Sequence, residues 1–110
     1  MNESRINGIP VIELVGSFLG DPEVSAFHDR VRALKADGTT GAVVDLGRLN
    51  LISSSGVGAL VGSAKTLREA GGDLKLANLS ERTHNVLVVV TRLDAVFNIF
   101  ESAEDAAASF

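Results

Sequence analysis

The sequence predicts an α/β fold, a single domain whose mixed, mainly parallel sheet of four to five strands is flanked by about four helices. Three observations carry this expectation. Short β-branched apolar runs alternate along the chain with segments of helical periodicity. Glycine or Asp-Gly punctuation falls at the junctions between them. The chain of 110 residues, 45% hydrophobic, is long enough to bury one continuous core, so residues 1–110 are expected to form one domain.

Ile9 to Val15 is an apolar, β-branched stretch between Gly8 and Gly16 and reads as a strand, with Ile6 on a short strand paired to it. In Gly20-Asp21-Pro22-Glu23, Asp21 is suited to cap exposed N–H groups, and Pro22 fits a first helical turn, where its missing donor has no role. Val24, Phe27, Val31 and Leu34 then recur at intervals of three and four, so a helix is expected to run to the Asp37-Gly38 turn. Ala42 to Leu46, between Gly41 and Gly47, is a nearly continuous apolar run of the kind covered on both faces, and is expected as the central strand.

From Ser54 to about Ala70 the apolar positions Val57, Leu60, Val61, Ala64 and Leu67 follow helical spacing, and Gly71-Gly72 ends the run. Asp73 to Ala77 alternates as a strand. Ser80, with Glu81 in the first turn and Thr83 three residues on, marks another helix start. The run Val86 to Val90 is β-branched, which suits a strand, but its flanks, Ser80 and Arg92, suit helix ends; it is read as helix. Val96 to Phe100 is expected as a last strand, and Ser102 as the cap of a terminal alanine-rich helix carrying Glu104 and Asp105 near its positive end.

Composition narrows the function. Ten Lys and Arg against fourteen Asp and Glu give a net charge of −4, which argues against direct DNA binding or an anionic membrane surface. With no cysteine, Cys-based zinc sites, disulfides and thiol catalysis are excluded. The lack of Trp and Tyr removes the usual stacking platforms for bases and sugars. Met1 to Asn7 is polar, and no apolar run approaches the ~18 residues of a membrane span, so no membrane insertion and a cytoplasmic location are expected.

The most informative stretch runs from Asp45 to Leu60, where a buried strand passes through a short loop to the start of a helix. A helix N-terminus presents unpaired N–H groups and a partial positive charge, which suits an anion or a serine that becomes one. Ser53-Ser54-Ser55-Gly56 stands there. At 100° per residue Val57, Leu60, Val61, Ala64 and Leu67 face the core, whereas Ser55, Gly58, Ala59, Gly62 and Ser63 fall on the opposite or flanking surface. Interior glycines each cost a helix about 1 kcal/mol relative to alanine. Two readings of Gly58 and Gly62 stay open on the residues alone: close approach of a partner, or tight packing inside the domain with the serines acting only as caps.

Other candidates are weaker. His28 and His84 lie on separate helices without a ligand pair and are read as surface or half-buried residues, not metal ligands. Asp45, at the end of the central strand, is read as organising the loop that follows rather than as an acid or base. Ser54 lacks the Gly-x-Ser-x-Gly context of a hydrolase nucleophile, and Gly56-Val57-Gly58 lacks the lysine of a phosphate-binding loop. Arg30, Arg32 and Lys35 read as a solvated helix face. No catalytic residue, metal or cofactor is assigned.

Val43-Val44-Asp45-Leu46, followed by Ile52-Ser53-Ser54-Ser55-Gly56-Val57-Gly58-Ala59-Leu60, resembles the signature of STAS domains, notably the bacterial anti-sigma factor antagonists. Gly71 to Leu79 and Leu93 to Phe100 resemble the family's distal pattern, so the similarity covers nearly the whole chain. The family motif usually reads Asp-Ser-Ser-Gly or Asp-Ser/Thr-Ala-Gly, with phosphorylation directly after the Asp. Carried over by position, the resemblance implies that Ser54 is the phosphoacceptor, with Ser53 and Ser55 as lesser candidates; Ser53 stands where the family has Asp. Gly16-Ser17-Phe18-Leu19 stands where many antagonists have Gly-Glu-Leu-Asp.

The implied function is that of a non-enzymatic antagonist. Unphosphorylated, it would bind an anti-sigma factor, itself a serine kinase of the histidine-kinase-like ATPase class, through Ser53, Ser54, Ser55, Gly56, Gly58, Ala59, Gly62 and Ser63. Phosphorylation would release it and a serine phosphatase would restore binding. The alternatives are an unphosphorylated STAS subunit of a transporter or stress-signalling complex and, last, a small nucleotide-binding or hydrolytic α/β domain.

Overall fold

Asn7 and Gly8 both adopt left-handed backbone angles, φ 53° and 80°, the two-residue turn that matches the twist of a hairpin. It joins β1 (Asn2–Ile6) to β2 (Ile9–Glu13) in antiparallel register, Ile6 opposite Ile9, so the expected short partner strand extends over five residues. The computed structural model describes all 110 residues and continues with β3 (Gly16–Phe18), α1 (Glu23–Ala36), β4 (Gly41–Asp45), β5 (Leu49–Ile52) and α2 (Ser54–Glu69). β6 (Asp73–Ala77), α3 (Glu81–His84), β7 (Ile99–Phe100) and α4 (Ala103–Ala108) complete the chain.

The main sheet has the order β1-β2-β4-β6-β7, antiparallel at β1 and parallel elsewhere. This is the mixed, mainly parallel sheet expected, with β4 at its centre. Strand alternation sends Ile12, Val44, Leu74 and Leu76 into the larger core with Phe27, Val31, Leu34, Leu60 and Leu67 from α1 and α2. Val11, Val43 and Ala77 point to the other face, where α4 lays Ala103, Ala106 and Ala107 over them.

Three expectations are corrected. The strand read over Ile9 to Val15 stops at Glu13, because Gly16 at φ 79° turns the chain out of the main sheet. Gly16–Phe18 pairs instead, in parallel, with β5, a strand read from sequence as loop. The strand expected over Val96 to Phe100 shrinks to Ile99–Phe100, because Leu93–Ala95 is a 3₁₀ turn and the Phe97 amide closes back on the Leu93 carbonyl at 2.8 Å. The Val86 to Val90 run is helical, but as a π-helical turn over Asn85–Val90 continuing α3. No helix is long and apolar enough to cross a membrane.

Arg30, read as part of a solvated face, forms a two-contact ion pair with Glu3, its Nη2 donating to Glu3 Oε2 at 2.7 Å, and so ties α1 to β1. This hydrogen bonding, with the attraction of the guanidinium, holds the Glu3 carboxyl below its ordinary pKa despite its partial burial. Arg32 is solvent-facing as expected and pairs only with Asp29.

Candidate functional site

The small β3–β5 pair places the serine turn. The Ser53 amide donates to the Phe18 carbonyl at 3.2 Å, which hands the chain from β5 into α2 directly beside the end of β3. Ser53 is the N-cap: its backbone is extended, at φ −100° and ψ 175°, and its Oγ accepts from the Gly56 amide at 3.2 Å. The same hydroxyl donates to the Leu19 carbonyl at 2.6 Å. Both capacities of the Ser53 side chain are thus committed inside the domain.

Ser54 and Ser55 differ. Both are exposed and occupy the first turn of α2, where their amides have no carbonyl four residues back within the helix. No acidic side chain stands in that turn to occupy the partial positive charge. Of the three serines, Ser54 and Ser55 present free hydroxyls to solvent beside open N–H groups, and Ser53 holds the turn.

The glycines separate into two kinds. A Cβ on Gly56 would run into the Phe18 carbonyl oxygen and come within 2.8 Å of Ile52 Cγ1 and 2.9 Å of Phe18 Cδ2, so Gly56 is required by packing of α2 on β3. A Cβ on Gly58 would meet nothing within 4 Å. One on Gly62 would meet only His28 Cε1 at 3.6 Å, an ordinary contact. Nothing inside the domain asks for glycine at 58.

The expected outer face of α2 is corrected in part. Ser54, Ser55 and Gly58 are exposed and Gly62 is half-buried, but Gly56, Ala59 and Ser63 are buried. Ala59 is 2% exposed and Ser63 fully covered, because α1 lies alongside α2 as well as over the sheet. The buried arc of α2 is therefore wider than its apolar stripe, and small residues fill the part that meets α1. Ser63 Oγ lies 3.3 Å from His28 Nδ1 across that contact, so His28, expected at the surface or half-buried, is half-buried with a hydroxyl partner. Val61, assigned to the core side, is exposed instead.

Two residues that sequence reasoning did not single out flank the turn. Leu19, whose carbonyl accepts from Ser53, and Leu51, two residues before it, are 48% and 50% exposed. No sequence signal marked Leu51: a regular strand would place Leu49 and Leu51 on one face, and it is the register shift between Gly16 and Ser17, opposite Leu49 and Leu51, that accompanies a buried Leu49 and an exposed Leu51. Asp45 organises the loop, as read: its Oδ1 accepts from the Gly47 amide at 2.9 Å and from Asn78 Nδ2 at 3.2 Å. His84 is exposed on α3, far along the chain from His28 and on a different helix.

The STAS domain family model matches residues 3–106. The chain is 38% identical over 73 residues to BtrV of Bordetella bronchiseptica, a protein named as an anti-sigma factor antagonist. That match takes in 66% of this chain and 62% of the relative, so it spans less than two thirds of BtrV's length. Among solved structures, an anti-sigma factor antagonist of Thermotoga maritima superposes with a TM-score of 0.86 at 18% identity, covering 98% of this chain and 92% of the other. The Bacillus antagonist SpoIIAA in its unphosphorylated form gives a TM-score of 0.76 at 21% identity, with 98% and 94% covered. At these identities the superpositions establish a shared fold.

Proposed function

Since the chain belongs to the STAS domain family, its matched segment running from residue 3 to residue 106, we propose that it acts as an anti-sigma factor antagonist switched by phosphorylation of Ser54. The observation that carries this reading is the division of labour at the serine turn. Ser53 caps α2 and grips Leu19, while Ser54 stands exposed at the first helical position with unpaired amides around it. BtrV is named as an antagonist of this kind, and SpoIIAA has been solved in both unphosphorylated and phosphorylated forms.

Unphosphorylated, the domain docks on an anti-sigma factor that is a serine kinase, using Ser54, Ser55 and the bare surface at Gly58, with Leu19 and Leu51 as apolar rim. A phosphate on Ser54 adds nearly two negative charges and strong acceptors beside the open N–H groups of α2. The domain itself accommodates this, because the helix terminus favours the anion. A docked partner does not, since it would have to desolvate the charge, so the complex parts and a serine phosphatase resets it. The protein is here a substrate and a binding module, acting in the cytoplasm with no direct DNA contact, in keeping with its net charge of −4.

The test is incubation with the cognate kinase and ATP, with the modified position mapped by mass spectrometry in wild type, Ser54→Ala and Ser55→Ala. Modification is expected in wild type and Ser55→Ala and absent in Ser54→Ala. Labelling that persists in Ser54→Ala moves the switch to another residue. In parallel, Ser54→Asp is expected to keep wild-type thermal stability and lose kinase binding; tight binding by that variant overturns the charge-switch mechanism.

A further inference from the structure

The face of the sheet opposite α1 and α2 is closed by very little. α4 spans only Ala103–Ala108, and the side chains it buries are three alanines, set over Val11, Val43 and Ala77. A six-residue helix has no independent stability in water, and alanines offer the smallest apolar area for holding one down. What fixes its far end is a buried lysine. Lys75, on β6 and 8% exposed, donates from Nζ to the Ser109 carbonyl at 3.0 Å and to Ser109 Oγ at 2.6 Å. The same ammonium sits 4.1 Å from the centroid of the Phe110 ring. That ring fills the space at Gly41, where a Cβ would come within 2.8 Å of Phe110 Cε1. Lysine in the middle of a sheet strand is otherwise out of place; with α4 seated, both hydrogen bonds of its buried ammonium go to Ser109, and the Phe100 ring of β7 lies 5.7 Å from it.

We propose that α4 is a lid latched by Lys75, opening as a unit while the five-stranded sheet and the core under α1 and α2 stay folded. The contacts that open together are the three alanines, the Lys75–Ser109 hydrogen bonds and the Phe110–Gly41 contact. None of them is shared with the larger core, whose members lie on the other side of β2, β4 and β6. Opening uncovers Val11, Val43 and Ala77 together with Ile9 and Phe100, an apolar band remote from the serine turn.

The chain has no cysteine, so single thiols report each face cleanly. Val43 and Val44 are adjacent on β4, both fully buried, Val43 under α4 and Val44 in the larger core. In the full chain, Val43→Cys is expected to react with dithionitrobenzoate at least about a hundredfold faster than Val44→Cys, and with weak dependence on low urea concentrations. Adding Lys75→Met is expected to speed Val43→Cys labelling about tenfold, and Gly41→Ala, which displaces the Phe110 ring, is expected to act in the same direction. Adding Leu67→Ala, which weakens only the larger core, is expected to speed Val44→Cys and leave Val43→Cys within about twofold. Equal labelling of the two thiols in the absence of urea, or equal acceleration of both by Leu67→Ala, means that Val43 is reached only by global unfolding and overturns the lid. Unchanged Val43→Cys labelling on Lys75→Met overturns the latch. Should Lys75→Met fail to fold, Ser109→Ala removes one of the two hydrogen bonds and carries the same expectation.

Discussion

Gly58→Ala offers the sharpest separation between a glycine kept for the fold and one kept for a surface. Gly58 lies inside α2, four residues beyond its first residue, Ser54, and its backbone is not left-handed. The added methyl would meet no atom within 4 Å, so there is no clash to set against the gain. That gain is the difference in helix propensity and unfolded-chain entropy, about 0.8–1 kcal/mol. For 110 residues an unfolding entropy of roughly 2.1 cal/mol/K per residue converts 1 kcal/mol into a rise in Tm of about 4 °C. Circular dichroism during thermal and urea unfolding measures it, with an unchanged urea slope showing that the change lies in stability. The kinase partner is expected to bind this more stable variant less well, because the methyl stands where the two surfaces meet. A destabilised Gly58→Ala refutes the open environment of this position, and wild-type binding refutes its place in the docking face. Gly56→Ala is the internal control: its Cβ would collide with the Phe18 carbonyl, and a loss of about 1–3 kcal/mol is expected.

Further outcomes follow from the same geometry. Ser53→Ala removes the acceptor for the Gly56 amide and the donor to Leu19, and is expected to cost about 1–2 kcal/mol in urea unfolding, whereas Ser53→Asp keeps the cap but has no proton for the Leu19 carbonyl and is expected to recover only part of it. Glu3 is held below its ordinary pKa by its hydrogen bonds with Arg30, so its contribution to stability is present at neutral pH and above the unfolded carboxylate value. It is lost as pH falls through the depressed folded value; the difference in urea midpoint between wild type and Glu3→Gln should therefore be constant near neutrality and vanish in acid, and a difference that grows in acid contradicts the sign. Leu51→Ser, at a half-exposed position on the outer side of β5, is expected to leave stability within about 0.5 kcal/mol and weaken kinase binding in a pull-down.

Legibility in the sequence followed the range of the interactions. Local signals placed the caps at Ser80 and Ser102, which each accept from the amide three residues on, and at Asp21, whose Oδ1 accepts from the Ser25 amide at 3.0 Å; the serine turn read as a helix start without showing that Ser53 is its cap. Periodicity likewise placed the three long parallel strands, β2 and β4 as nearly continuous apolar runs and β6 by the alternation of Leu74 and Leu76 with Asp73 and Lys75. It failed where a strand was made by its partner. β3 and β5 hold three and four residues, too few to show a period, and exist because Gly16 N bonds to the Arg48 carbonyl and Ser53 N to that of Phe18.

The serine turn divides in the same way. Sequence by itself determined the fold class, the helix start at Ser53-Ser54 and the resemblance that singles out Ser54, all of which depend on residues adjacent in the chain. Only the tertiary structure decided which small residues of α2 face outward. A helical projection knows one axis, but α2 is covered by the sheet and by α1 together, so Ala59 and Ser63 are buried while Val61 is left exposed. It also decided what each glycine is for. Gly56 answers to a carbonyl 38 positions earlier, that of Phe18, and Gly58 answers to nothing in its own chain; a sequence shows the same missing side chain in both places, and only the surrounding atoms distinguish them.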